Sequence, residues 1–557
     1  MRIQECTSTL MLNSFTFGLK KHTMTAVSWI VPLILLGCLS GACTPVEGWK
    51  MFEPDFEASV PREADDPGSA SATASPETLD APAVELPPPG RPLRLSVEDV
   101  TVLALQRNRD LKTRQLNPVI AGTFERIERG RFDPELFAEF SYDEATAQEI
   151  SRATGQEFSV DSSGAESAMG IRQELPSGTS VEASLSQQRD QSNRAPDQRM
   201  ARVGLSVTQS LLQGFGPAVT LLSIRQAELD TLASLYELRG FTETLVAEAE
   251  SAYWNYVLAL KEIRIFESSL AVARQQLDEV EQQIEVGLLP EIEAAAARAE
   301  VARRKQALID ARSLMEERRL RLVRLIDGQG TGQADRRILA VSDPMIDPRP
   351  IRDQEQRVRL ALRSRSDLAE AGLRRQQGRL ETIVTKNGML PRLDLFLRLG
   401  QTGYAESFGA SFQSIDGDTS DFSIGLRLNH FLGNRAAEAR HQASLASHSQ
   451  ALEAVDNLRQ IVRLDVRLAV NEVERTRKQI AASTATRRLE EQALRAEKER
   501  FAVGASTALL VAQVQRDLLV SQIAEVRAII NYRLALVQLY LAEGSLLERR
   551  GIVFDAG

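Results

Sequence analysis

The chain has 557 residues, 43% hydrophobic and 26% charged, with a net charge of −9 and a pI near 5.4. Length alone suggests about three or four domains, but abundant Ala, Leu, Arg, Glu and Gln with 5% aromatics suit long helices instead. The acidic balance gives no general pull toward nucleic acid. All three cysteines lie in the first 43 residues, which excludes a disulfide-stapled body.

Residues 1–43 read as an export signal. Lys20, Lys21 and His22 form a positive flank, and the apolar run Ala26 to Leu36 is too short to span a bilayer. Leu35-Leu36-Gly37-Cys38 and Ser40-Gly41-Ala42-Cys43 both resemble the bacterial lipobox. The first has the Leu three residues before its Cys, and the second has the smaller residues. Cys38 and Cys43 are therefore alternative lipidation sites, with signal cleavage without lipid as the competing reading. Residues 44–92, rich in Pro, Ser, Ala, Asp and Glu, cannot bury a core and read as a tether.

From Leu93 the chain repeats itself. Leu103 to Leu111 matches Leu360 to Leu368 at a lag of 257, and Pro134 matches Pro391 at the same lag. Gly204-Leu205 matches Gly425-Leu426 at 221, Val286-Gly287 matches Val503-Gly504 at 217, and Leu322-Val323 matches Leu536-Val537 at 214. The drop of 36 falls within a strand-like section, so the first copy carries about 36 extra residues there, a longer loop or an extra hairpin. The copies span 93–327 and 350–545, with a linker at 328–349 and a C-terminal tail at 546–557.

Each copy reads helix, strands, very long helix, break, helix. In the strand sections Leu136, Ala138, Phe140 and Tyr142 share one face, as do Leu393, Leu395, Leu397 and Leu399, and Phe422, Ile424, Leu426 and Leu428. This period of two fits strands wetted on one face. The apolar face points inward in a soluble sandwich and toward lipid in a membrane barrel, and the preceding export signal favours the barrel. Leu175-Pro176-Ser177-Gly178-Thr179 suits a hairpin turn.

The stretch 220–327 reads as a helical hairpin. Ile263, Phe266, Leu270, Ala273, Leu277, Val280 and Ile284 form a heptad seam. The segment 215–287 would reach roughly 105 Å if mostly helical. The break falls at Val286-Gly287-Leu288-Leu289-Pro290, where Gly287 can turn left-handed and Pro290 can open a new helix. Glu291 and Glu293 suit that helix start. In the second copy His441 and His448 lie seven apart and can share a helix face, but two histidines leave a metal ligand set short.

The order and wording of these segments resemble the TolC-like outer-membrane efflux protein family, in its lipoprotein branch. The resemblance is carried by Ser96-Val97-Glu98-Asp99 and Leu103 to Leu111, with Arg109 where the family has proline. It extends to Thr208-Gln209-Ser210-Leu211-Leu212 with Gly214 and Gly216, Tyr253 in the long helix, and the turns at Val286-Gly287 and Val503-Gly504-Ala505-Ser506-Thr507. It implies a mainly α fold with a membrane β-barrel section, two tandem repeats, and a homotrimer sharing a twelve-stranded barrel above an α-helical tunnel. The implied function is an outer-membrane exit duct of a tripartite efflux or type I secretion system, coupled to an inner-membrane pump through a periplasmic adaptor. The alternative is a periplasmic coiled-coil scaffold without a pore, which would need no apolar alternation on its strands.

Two site expectations follow. The tip residues Gly287, Leu288, Leu289, Gly504, Ala505, Ser506 and Thr507 are expected to dock the adaptor, since exposed apolar turn residues call for a cover. Acids before the tips, Asp278 and Glu281 in one copy and Glu490 and Glu491 in the other, would ring a threefold tunnel if they face inward. The competing reading is a solvated helix face. The chain has no nucleophile motif, phosphate loop or metal-spaced cluster, so neither catalysis nor a metal or other cofactor is expected.

Overall fold

Capping residues divide the start of the body. In the computed structural model, residues 92–554 are described except 151, 154, 328–335, 417 and 418. They lie in one unit, Ala74–Gly557. The signal, most of the tether, Cys38 and Cys43 fall outside the described residues. Strand β1 (Leu93–Leu95) leads to Ser96, which caps α1 (Val97–Arg107) in a reciprocal box with Asp99. Asn108 then caps α2 (Arg109–Gly130), its Oδ1 accepting from the Leu111 amide at 3.0 Å. Arg109 is thus the first helical residue. Proline is favoured there because the N–H has no intrahelical partner anyway, and Arg keeps the helix without needing that advantage.

Four strands follow: β2 (Glu135–Ile150), β3 (Glu157–Leu175), β4 (Thr179–Ser192) and β5 (Ala195–Ser210). Then come α3 (Leu222–Glu285), α4 (Ile292–Ile326) and β6 (Ile338–Ala340). The second copy supplies α5 (Gln354–Ser364), α6 (Ser366–Gly388), β7 (Arg392–Ala405), β8 (Ser420–Asn429), α7 (Arg435–Ala502) and α8 (Ala508–Ala542). At 64 and 68 residues, α3 and α7 are roughly 96 and 102 Å long.

The large strands form one antiparallel sheet in the order β2-β3-β4-β5-β7-β8. A twelve-stranded trimer needs four strands from each chain, and this chain carries six. The surplus is the hairpin β3–β4, residues 157–192, which matches the 36-residue excess of the first copy. The turn expected at 175–179 is present, with Leu175 paired to Thr179 and Gly178 at φ 82°.

The helices lie side by side. α2 packs on α3, α3 on α6 and α6 on α7, leaving α2 and α7 at the margins of that layer. Further along, α4 packs on α3, and α8 packs against both α3 and α7. The seam residues Leu270, Ala273 and Val280 are buried, and the other four are half-buried. The chain passes from the marginal helix α2 into the marginal strand β2, and from the marginal strand β8 into the marginal helix α7.

Two boundaries differ from expectation. The linker contains β6, which pairs in parallel with β1, Leu93 opposite Ile338. Tyr253, fully buried, ties this pair to the long helix: its hydroxyl donates to the Leu95 carbonyl at 3.2 Å and accepts from the Ser342 amide at 2.9 Å. The C-terminal segment is not a loose tail. Gly544, at φ 65°, ends α8, and the single turn Leu546–Arg549 buries Leu546 and Leu547 beside Leu245 and Val246. Arg550 then pairs with buried Glu250.

Candidate functional site

Strand register sets what the sheet presents on each side. Leu136 lies opposite Ile171, Ile171 opposite Ala183, Ala183 opposite Leu205, Leu205 opposite Leu399, and Leu399 opposite Phe422. Directly opposed residues share a face, so one apolar row crosses all six strands. A parallel row runs through Val181, Val207, Leu397 and Ile424. This face is uncovered: Leu136 is 74% exposed, Ile171 53% and Leu428 65%. The opposite face carries Glu182, Ser184, Ser206, Arg398 and Ser423. An apolar exterior over a polar interior is the pattern of a membrane barrel and the reverse of a soluble sandwich. Among the described residues no helix is long and apolar enough to cross a membrane.

Left-handed backbone forms the strand-to-helix junctions. After β5, at the junction where the family resemblance is carried by Gly214 and Gly216, these two take φ of 80° and 87°. The 176–178 turn seats against them: the Gly216 amide donates to the Ser177 carbonyl at 3.1 Å, and the Ser210 amide to Gly178 at 3.1 Å. After β8 the same task falls to Asn434, the one non-glycine at positive φ among the described residues, whose side chain donates to the Met389 carbonyl at 3.0 Å. Sequence reading passed over Asn434 and the exposed Phe215, Phe431 and Leu432 beside these junctions. Aromatics next to an apolar band suit a membrane–water interface, and that adjacency was the available signal.

The two tip turns are built alike. The Leu288 amide donates to the Gln283 carbonyl at 2.8 Å and Gly287 to Ile284 at 2.9 Å. In the second copy Ala505 donates to Arg500 at 2.8 Å and Gly504 to Phe501 at 3.0 Å. Both are Schellman turns with glycine left-handed, φ 77° and 72°. They differ on the far side. Thr507 caps α8, its hydroxyl accepting from the Leu510 amide at 3.3 Å, and the Ser506 hydroxyl donates to the Glu497 carboxylate. Glu291 makes no side-chain cap on α4. Of the docking candidates, Gly287, Leu288, Gly504, Ala505 and Thr507 are exposed, whereas Leu289 and Ser506 are half-buried. Val286 and Val503, 70% and 80% exposed, add to the apolar tip surface.

The pre-tip acids divide. Glu281 pairs with Arg298 at 2.8 Å across α3 and α4, and Glu491 pairs with Arg487, which also reaches Glu525 on α8. Glu281 thus ties α3 to α4, and Glu491 is held within α7 by the arginine that ties α7 to α8. Asp278 is exposed and Glu490 half-buried, and neither takes an ion pair among the described residues. His441 and His448 sit against α6, His441 sharing a hydrogen bond with Thr385 at 3.1 Å and His448 lying beside Gly378.

The family model described as outer membrane efflux protein matches residues 156–328 and 358–545. No curated protein matches the chain. Among solved structures, the Campylobacter jejuni CmeC outer membrane channel is similar at 16% identity and a TM-score of 0.61, over 81% of this chain and 86% of that one. The outer membrane protein VceC from Vibrio cholerae is similar at 17% identity and 0.60, over 82% and 97%. The open state of the Neisseria gonorrhoeae MtrE outer membrane channel is similar at 20% identity and 0.54, over 81% and 89%. At these identities the likeness is one of fold.

Proposed function

We infer function from one premise: the chain belongs to the outer membrane efflux protein family. It is a channel component and not an enzyme. The reading proposed beyond that is a passive exit duct assembled from three copies, with energy supplied by an inner-membrane pump that it meets through a periplasmic adaptor. One observation carries it. The apolar-faced sheet ends in two free edges, β2 and β8, and six strands are too few to close a barrel alone. Unpaired backbone edges are not tolerated in lipid, so β8 of one copy must pair with β2 of the next. The alignment is antiparallel, as it is throughout the sheet, and it brings α7 of one copy beside α2 of the next. α2 offers exposed Leu116, Ile120, Phe124 and Ile127 there, and α7 offers Leu445 and Leu452. Three copies then supply twelve tunnel helices from α3, α4, α7 and α8.

Within that reading the tips dock the adaptor through Val286, Gly287, Leu288, Val503, Gly504, Ala505 and Thr507, with Leu289 and Ser506 supporting the turns from within. Asp278 and Glu490 are the better candidates for lining a constriction, because Glu281 and Glu491 are engaged by arginines. An acyl chain on Cys38 or Cys43 anchors the N-terminus through the tether. The pore-free scaffold is disfavoured because apolar alternation runs across every strand of the sheet.

The test is extraction and sizing. A detergent-dependent particle of three chains, still trimeric in lipid nanodiscs, is expected. A soluble monomer released without detergent would end the duct reading. Labelled fatty acid, incorporated by the parent and lost in Cys38→Ala or Cys43→Ala, identifies the anchor. Label retained in both single variants and in the double variant removes the lipoprotein proposal.

A further inference from the structure

The additional hairpin is part of the membrane wall. We propose that β3 and β4 are full lipid-facing staves, so that three copies close a barrel of eighteen strands where the family resemblance implies twelve. This rests on the duct reading above and goes beyond it in the size of the outlet.

Five features support a place for the hairpin in lipid. Its register is continuous with both neighbours, from Glu135–Arg172 through Ile150–Glu157 on one side and from Thr179–Gln209 to Ser192–Ala195 on the other, with a single irregularity near the outer end of β4. Its outward face continues the apolar band of the other strands through Met169, Ile171, Val181, Ala183 and Leu185, with Met169 and Ile171 each about half exposed. Its strands, 19 and 14 residues long, exceed the roughly 9–11 that a tilted strand needs to cross. Past the apolar row the outward positions are mostly polar, Ser167, Ser163 and Asp161 on β3 and Gln187, Arg189 and Gln191 on β4, and at the inner end Gln173 donates its amide to the Phe132 carbonyl. The inner turn is fitted into place: a Cβ on Gly178 would stand 2.3 Å from the Gly214 carbonyl oxygen, so the turn lies flush against the β5 junction. A loop hanging free of the wall would show neither the apolar row nor this seating.

The consequence is a wider outlet. Barrel diameter grows roughly linearly with strand number, so eighteen strands give about 1.5 times the diameter of twelve. The inward positions of β4, Ser180, Glu182, Ser184, Ser186 and Gln188, are small or flexible polar residues that line the added space without filling it.

The test uses the full chain in lipid nanodiscs. Leu397→Trp reports on the strands common to any version of the barrel, and Met169→Trp and Leu185→Trp report on the hairpin. Brominated lipid is expected to quench the added emission of all three to a similar extent. Quenching at 397 alone overturns this inference and leaves the duct reading standing, and quenching at none overturns the duct reading itself. Electron cryomicroscopy of the parent should count eighteen staves, and a variant lacking 157–192 should form a barrel about two-thirds as wide. Twelve staves in the parent, or an unchanged width on excision, refutes the proposal. Where the excision variant fails to assemble, the quenching comparison and the stave count in the parent still decide.

Discussion

The two long helices are near-equal in length and occupy equivalent places in the repeats, yet they are packed differently. α3 is enclosed by α2, α4, α6 and α8, and it buries three carboxylates, Glu243, Glu250 and Glu262. α7 stands at the margin, and its buried residues are Ser444, five valines and Thr476. An enclosed helix can hold charge because arginines are supplied to it, Arg550 to Glu250 and Arg527 to Glu262 from other elements and Arg239 to Glu243 from one turn earlier in the same helix. A marginal helix must keep one side free for a neighbouring copy, and polar satisfaction there would depend on the partner. Internal duplication therefore produced one helix that organises the chain and one that, on the proposed reading, meets the neighbouring copy.

Substitutions at matched positions test how far this division of labour extends. The largest effect is expected in the sheet. Leu205→Arg and Leu426→Arg, equivalent residues on the apolar face, should each cost about 2–4 kcal/mol. Both should lower the amount of assembled trimer recovered from outer membranes, while Ser206→Arg on the polar face should be tolerated. Tolerance of either apolar-face arginine would mean that the face does not meet lipid.

The next effect separates α3 from α7. Burial pushes the Glu243 carboxyl up to about 7 from 4.5, only partly opposed by Arg239. Between those values the folded chain holds more protons than the unfolded one, so stability falls as pH rises through that window and is lowest above it. Glu243→Gln should flatten that slope and raise the melting temperature at pH 8 by an increment worth at most about 3 kcal/mol, with little change at pH 4. An unchanged difference between pH 5 and pH 8 would show that Glu243 does not titrate there.

Smaller effects compare the tips. Gly287→Ala and Gly504→Ala place a Cβ in left-handed backbone and should each cost about 1 kcal/mol, equally, by denaturant titration. Thr507→Ala should cost about 1 kcal/mol and speed amide exchange at Leu510, whereas Glu291→Ala should change little because it caps nothing. Equal losses from these last two would erase the distinction between the turns.

Legibility in the sequence followed the range of the forces involved. The tip turns depend on a glycine and its immediate neighbours, and the seam on a heptad, so both could be read locally. The sheet's two faces were legible in β2, β7 and β8, where leucines and aromatics alternate. The hairpin at 157–192 was read only as a surplus, because Ser, Gly, Glu and Gln dominate wherever its strands rise above the apolar row. Residues 546–554 looked like a tail because their burial is long-range, through Glu250 some 300 positions earlier. Of the engaged pre-tip acids, Glu281 depends on Arg298 across the hairpin, beyond any spacing rule, whereas Glu491 with Arg487 is an i,i+4 pair within one helix.

The short parallel pair formed by β1 and β6 bears on biogenesis. Its two strands stand 245 positions apart, Leu93 opposite Ile338, and Tyr253 locks them from the middle of the intervening segment. An emerging polypeptide cannot close that loop until nearly 340 residues have been delivered, and loop-closure entropy opposes it until then. Ile530 of α8 joins the same core, so the amino-terminal strand is fully enclosed only once the second copy has been delivered as well.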